Sequence, residues 1–233
     1  LEECKECTGP VLVADVRDTL FQRDPFGPDA PPLEEGLQVF EEHSTQRTTN
    51  WLVKDPVEKC KKIEIFDEPM LCSGTTVGTR EAMLQYLGAM ETEMKEWMKD
   101  ESCCCNKMNA DDQSVHNYLF YTGKLPYATA QKNREGLVNT VGSQGASIVK
   151  AANAEGKNNK KVETDDDSRE TMGKDWLGGQ HGLTDKEGFF VDYNGERSFI
   201  VHQYDRFGRA AMNWLDNESG LKDPWWLPTP IFS

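Results

Sequence analysis

Val11-Leu12-Val13-Ala14-Asp15-Val16-Arg17-Asp18 is the stretch on which the reading of the fold turns. Val11 to Ala14 form a short unbroken apolar run, the mark of a strand buried on both faces in a sheet covered by helices. Asp15 and Asp18 then stand just beyond that strand, at the carboxyl end of the sheet, where open α/β folds bind their ligands. Two neighbouring carboxylates repel one another, and a divalent cation between them relieves the repulsion. The plainer alternative is that Asp15 caps the following turn and Asp18 pairs with Arg17 or Arg23.

Further along the chain, strand signals alternate with helix signals. Leu20-Phe21 runs into a turn at Asp24-Pro25-Phe26-Gly27, and Gly36 to Phe40 reads as a second strand. A short helix is expected over Thr45 to Lys54. Met70-Leu71-Cys72 is a brief extended piece ending at Ser73-Gly74-Thr75-Thr76. The clearest helix spans Thr79 to Lys99, with Met83, Leu84, Leu87, Met90, Met94 and Trp97 on one face at helical spacing. Asp111 is placed to cap another helix carrying Val115, Leu119 and Phe120 and stopping at Gly123. Leu137–Val141 and Ser147–Ala151 look like strands. Residues 153–170 form a polar, charged insertion. Phe189–Val201 reads as a hairpin around Asn194-Gly195, because that pair supplies positive φ angles. Alternating strands and helices make the class α/β.

Composition narrows the partners. The 233 residues carry 26 Lys and Arg against 40 Asp and Glu, a net charge of −14. Hydrophobic residues make up 37 % of the chain, enough to bury a core. An isoelectric point near 4.8 argues against nucleic acid, whose phosphates need clustered Lys and Arg. No apolar run reaches the 18 or more residues that a membrane-spanning helix needs. The seven cysteines sit at 4, 7, 60, 72 and 103–105. Only one CxxC is present, Cys4–Cys7, so the spacing of a zinc site is incomplete. Thr8-Gly9-Pro10 follows it, where a thioredoxin-type motif would open a helix. Disulfides in an oxidising compartment are the favoured reading. Asn217-Glu218-Ser219 is a sequon compatible with secretion.

Four segments could carry chemistry. The first is the Asp15/Asp18 pair. Asp-Val-Arg-Asp-Thr at 15–19 is also similar to the DxDxT of haloacid-dehalogenase-type phosphatases, but Arg17 stands where the acid/base aspartate would be and cannot give up a proton near neutral pH. The second is Cys72–Gly78, a small-residue turn whose amides could approach a sugar or phosphate. The third is Asp111-Asp112-Gln113-Ser114-Val115-His116-Asn117 at a helix start. The fourth is Phe199-Ile200-Val201-His202-Gln203-Tyr204-Asp205-Arg206, where a histidine follows a buried strand; such a residue is more often structural unless it meets the acidic pair.

In this order the four segments resemble glycosyltransferases of the GT-A fold, nearest to nucleotide-diphospho-sugar transferase-like proteins with DVRD, CSGTT, DQ-HNYL and VHQYDR blocks. The resemblance covers residues 11–207. It implies a GT-A-like mixed sheet flanked by helices. With only 14 residues before Asp15, the strands that build the nucleotide pocket are expected to be missing. One domain is expected over 1–215, followed by a Trp/Pro-rich tail over 216–233.

The resemblance also implies roles. Asp15, Asp18 and His202 would hold Mn²⁺ or Mg²⁺ against the diphosphate of a nucleotide sugar; carboxylates suit a hard cation and imidazole favours Mn²⁺. Asp112 would orient the acceptor hydroxyl or serve as base. Ser73, Gly74, Gln113 and Asn117 would line the donor pocket. The function implied is metal-dependent transfer of a sugar from a nucleotide diphosphate to a glycan, protein or small acceptor, in the secretory pathway, the Golgi lumen or outside the cell. Two alternatives stand beside it: a non-catalytic structural or interaction subunit, meeting a protein through the acidic surface or the Trp225/Trp226 tail, and the phosphatase. A chain at −14 repels an anionic donor, so a bound cation is a requirement of the transferase reading. Cys72 is expected to pair with one of Cys103–Cys105.

Overall fold

The computed structural model describes residues 3–4, 6–33, 35–65, 67–100, 103, 111–142 and 183–207. The expected strand at 147–151, the charged insertion at 153–170, Cys104, Cys105, the sequon and the tail at 216–233 lie outside them. Two compact units form: one takes the described residues up to Asp15 together with Pro31–Asn133, the other takes Val16–Ala30 and the described residues from Arg134 onward. Both contain mixed sheets, and the first is flanked by helices, so the α/β class holds.

The first unit has a four-stranded sheet. β1 (Val11–Ala14) pairs antiparallel with β4 (Leu71–Gly78), β4 antiparallel with β3 (Leu37–Glu41), and β3 parallel with β5 (Ala128–Gln131). β1 was expected to be buried on both faces; all four of its residues are only half-buried, because it is the outer strand and pairs with β4 alone. The inner strand β3 is the buried one, with Leu37 and Val39 fully covered.

Among the described residues, α2 (Arg80–Trp97) and α3 (Asp112–Tyr121) pack against this sheet and α1 (Trp51–Lys61) packs on α3. α1 runs over Trp51–Lys61, not 45–54. The residues before it are used otherwise: Arg47 bridges to Pro69, and the Thr48 amide donates to the Glu68 carbonyl at 2.9 Å. Asn50 then caps the helix, its Oδ1 accepting from the Leu52 amide at 3.1 Å. Pro56 lies inside α1 and has no amide hydrogen to offer the Leu52 carbonyl four residues back. The Ser114 hydroxyl donates to that carbonyl at 2.8 Å, from a fully buried position. α2 (Arg80–Trp97) starts at Thr79, whose Oγ1 accepts from the Ala82 amide. Its buried face is rotated from the expected one: Ala82, Tyr86 and Glu93 join Met83, Met90 and Trp97, while Leu87 faces solvent. α3 (Asp112–Tyr121) is capped by Asp111, as expected, with Oδ1 accepting from the Ser114 amide at 2.6 Å. Leu37, Val39, Met83, Val115 and Leu119 lie at the centre of the core.

Two disulfides close within the first unit, Cys4–Cys7 and Cys60–Cys103, each with Cα atoms 5.4 Å apart. Cys72 does not pair with the 103–105 run as expected. It is a buried free thiol in β4, and Cys103 instead takes Cys60 at the end of α1.

The second unit has a three-stranded sheet in which β7 (Ile200–His202) lies between β2 (Thr19–Phe21), antiparallel, and β6 (Val138–Thr140), parallel. The expected 189–201 hairpin is present as single bridges, Thr184 to Phe190 and Val191 to Arg197, around the Asp192–Gly195 turn. Gly195 alone of the Asn-Gly pair takes positive φ, 81°. Ile200 to His202 pair elsewhere, with β2 and β6. Gln22 clips this segment in place: its Nε2 donates to the carbonyls of Phe190 and Ser198, and its Oε1 accepts from the Phe190 amide.

Candidate metal centre

The centre of interest is in the second unit and follows from one strand register. β2 and β7 run antiparallel with Thr19 opposite His202. Asp18, the residue before β2, therefore comes beside the end of β7, although 184 residues separate it from His202. The Gln203 amide donates to the Asp18 carbonyl at 2.7 Å, and the Val141 amide to the His202 carbonyl at 3.0 Å. Gln203 turns the chain away with φ of 62°. The backbone thus holds both residues before their side chains are considered.

The Asp18 Oδ1 lies 3.9 Å from His202 Nδ1, and both side chains are buried, 7 % and 2 % exposed. Thr19 Oγ1 lies 3.2 Å from the same ring nitrogen. Arg206 Nη2 reaches to 4.0 Å from Asp18 Oδ2. This is the arginine that meets Asp18; Arg23, considered for that part, instead lies 4.0 Å over the ring of Phe199. Two donors about 2.1 Å from a shared ion stand between about 3 Å, at right angles, and about 4.2 Å, opposed. The Asp18–His202 separation falls in that interval. A buried carboxylate beside a buried imidazole is a donor set for a divalent ion with mixed oxygen and nitrogen preference, and so fits Mn²⁺ better than Mg²⁺.

Asp15 belongs to the first unit, where its amide extends the β1–β4 ladder by donating to the Gly74 carbonyl at 2.9 Å, and its side chain is exposed. Cys72–Gly78 is not a turn. It is all but the first residue of the eight-residue strand β4, carried by Thr75, Thr76 and Val77, whose branched side chains suit a pleated sheet. What looked like a turn is a bulge: Val39 of β3 pairs with Thr76, yet Phe40 pairs with Cys72, so Ser73, Gly74 and Thr75 bow out from β3.

Two side chains from α3 fill that bow. Gln113 accepts from the Ser73 hydroxyl at 3.0 Å through Oε1 and donates to the Leu71 carbonyl at 2.8 Å through Nε2. Asn117, fully buried, accepts from the Leu71 amide and donates to the carbonyls of Leu71 and Gln113, each at 2.8 Å. Ser73, Gln113 and Asn117 are thus brought together, bonded to one another and to backbone. Asp112 is exposed at the start of α3, with Oδ1 accepting from the Gln113 amide at 2.8 Å. In the same region burial pushes the Cys72 thiol well up, helped by the charges of Glu42 and Asp15, which leaves it protonated and unreactive.

Sequence reasoning missed Thr19 and Arg206 as neighbours of the pair. Only the β2–β7 register reveals them, and nothing local in either segment encodes it. Comparison with known proteins returns no matching family model, curated protein or solved structure. Among the described residues no helix is long and apolar enough to cross a membrane.

Proposed function

We propose that this chain is a divalent-cation-dependent glycosyltransferase of GT-A type, in which Asp18 and His202 hold Mn²⁺. The observation that supports it is the buried Asp18–His202 pair, 3.9 Å apart, at the places where the acidic motif and the late histidine of the resembling family fall. A bound cation would neutralise charge growing on the departing diphosphate. Arg206 offers a further positive charge to an anionic donor. Asp112, exposed and anchored at a helix start, is assigned to the acceptor hydroxyl. The setting proposed is a lumenal or extracellular compartment, in keeping with the two disulfides.

A second reading, a non-catalytic cation-binding module, is favoured by one observation. The Ser73 and Gln113 side chains bond to each other, and those of Gln113 and Asn117 bond to backbone, as parts of a structural clip would.

Mn²⁺ titration of the full chain by calorimetry, followed by hydrolysis assays with uridine and guanosine diphosphate sugars, separates the two. The transferase reading expects Mn²⁺ binding weakened at least ~10-fold by Asp18→Asn and by His202→Ala, together with donor turnover. Binding without turnover of any donor establishes the second reading. Mn²⁺ binding that neither substitution alters would sink both.

A further inference from the structure

The transferase reading leaves the Cys4–Cys7 bridge unused, and its setting differs from that of Cys60–Cys103 in three respects. It joins residues only three apart in sequence, whereas Cys60–Cys103 spans 43. A cross-link stabilises a fold by restricting the unfolded chain, an effect that grows with the length of chain enclosed. Cys4–Cys7 therefore does little to hold the fold, while Cys60–Cys103 ties the last turn of α1 to the chain approaching α3. Cys4 and Cys60 are both half-buried, but Cys4's partner Cys7 is exposed whereas Cys60's partner Cys103 is wholly buried. An external thiolate needs a line of approach to a sulfur, and the first bridge gives one. Finally, the local chain already turns back on itself there: the Cys7 amide donates to the Cys4 carbonyl at 3.3 Å, and the Thr8 amide to the Glu6 carbonyl at 3.0 Å. That turn keeps the two sulfurs near each other after reduction, so the pair closes again more readily than it joins another cysteine.

We propose that Cys4 and Cys7 form a reversible dithiol–disulfide couple that exchanges with external thiols of the glutathione class, a modification site separate from the structural bridge. In the reducing direction a glutathione thiolate attacks one sulfur, the Cys4–Cys7 bond breaks, and a mixed disulfide forms while the other cysteine leaves as thiolate and takes up a proton. A second glutathione thiolate attacks the mixed disulfide and releases oxidised glutathione. The protein disulfide gains two electrons and two glutathione thiols lose them. No helix begins at this CxxC; the chain passes through Gly9 and Pro10 into β1 at Val11, so the couple lacks the thiolate-stabilising helix start of a dedicated oxidoreductase and acts as an acceptor of exchange.

The test uses the intact oxidised protein in native buffer, incubated in glutathione mixtures of graded ratio, alkylated, and read by peptide mass spectrometry. Cys4 and Cys7 are expected to become labelled together, at least ~10-fold faster than Cys103, and to lose that labelling when oxidised glutathione is restored. A Cys4→Ser variant is expected to gain a glutathione adduct at Cys7. The Cys4→Ser/Cys7→Ser double variant is expected to melt no more than ~8 °C below the parent. Labelling of Cys4 and Cys7 no faster than Cys103, re-pairing with other cysteines on reoxidation, or a fall in melting temperature well beyond that range would each overturn the proposal.

Discussion

His116 shows how one buried side chain sets a pH dependence. It is fully buried, and its Nδ1 lies 2.8 Å from the Tyr86 hydroxyl. Burial lowers its pKa from 6.5 to about 4, so the folded state holds it neutral where the unfolded chain would charge it. Between those two values the unfolded state binds more protons, and stability must fall as pH is lowered from 6.5 towards 4. Urea unfolding at pH 7 and pH 5 is expected to show this fall, and His116→Leu to flatten it. Glu93 acts lower on the scale. Burial alone would raise its pKa, but hydrogen bonds from Lys124, Lys61 and Trp97 outweigh burial and hold it below 4.5. Its contribution is therefore present above pH 4.5 and lost as pH falls through the lowered value. Glu93→Gln is expected to cost ~1–3 kcal/mol at neutral pH and to remove that acid-limb slope, because a neutral amide leaves two lysines without their carboxylate.

Elements in the first unit are joined by polar clips as much as by apolar contact. Asn117 fixes α3 to β4 through three bonds from a fully buried position. Asn117→Ala is expected to lower stability by ~2–4 kcal/mol, measured as a shift in the urea midpoint, since it strands the buried Leu71 amide. Gly36 makes a backbone demand instead: its φ is 98°, and an added Cβ would meet the Tyr127 carbonyl oxygen at 2.3 Å. Gly36→Ala is therefore expected to destabilise at least as strongly, by ~2–4 kcal/mol. These elements were unequally legible. The α2 and α3 starts could be read because Thr79 and Asp111 bond amides three residues on, a local interaction. β4 was misread because Ser73-Gly74 has the composition of a turn, and the bulge that accommodates it exists only once β3 and α3 are in place. The end of α1 depends on tertiary contact too: Pro56 orphans the Leu52 carbonyl, and Ser114 from α3 satisfies it.

At the scale of the whole chain, the long-range covalent constraint among the described residues is Cys60–Cys103. On the loop-entropy account, closing a segment of that length stabilises by ~4 kcal/mol. Cys103→Ser is expected to lose an amount of that order in denaturant unfolding. The net charge of −14 has a consequence at this scale too. A cation bound by the folded state alone adds stability by mass action, ~2.7 kcal/mol at a hundred times its dissociation constant. Mn²⁺ is thus expected to raise the melting temperature of the parent chain and to leave that of Asp18→Asn nearly unmoved, as measured by differential scanning calorimetry.

By itself, the sequence determined the α/β class, the Asp111 cap, the acidic character and the candidates Asp15, Asp18 and His202, because each depends on residue type or on spacing within a turn or two. Tertiary structure decided which of them meet. Asp18 and His202 become neighbours through the β2–β7 register, Ser73, Gln113 and Asn117 through the β4 bulge, and Cys103 with Cys60 in place of Cys72. Backbone pairing between distant segments settles such meetings. It is governed by the burial of whole strand faces, so no local pattern around either partner records it.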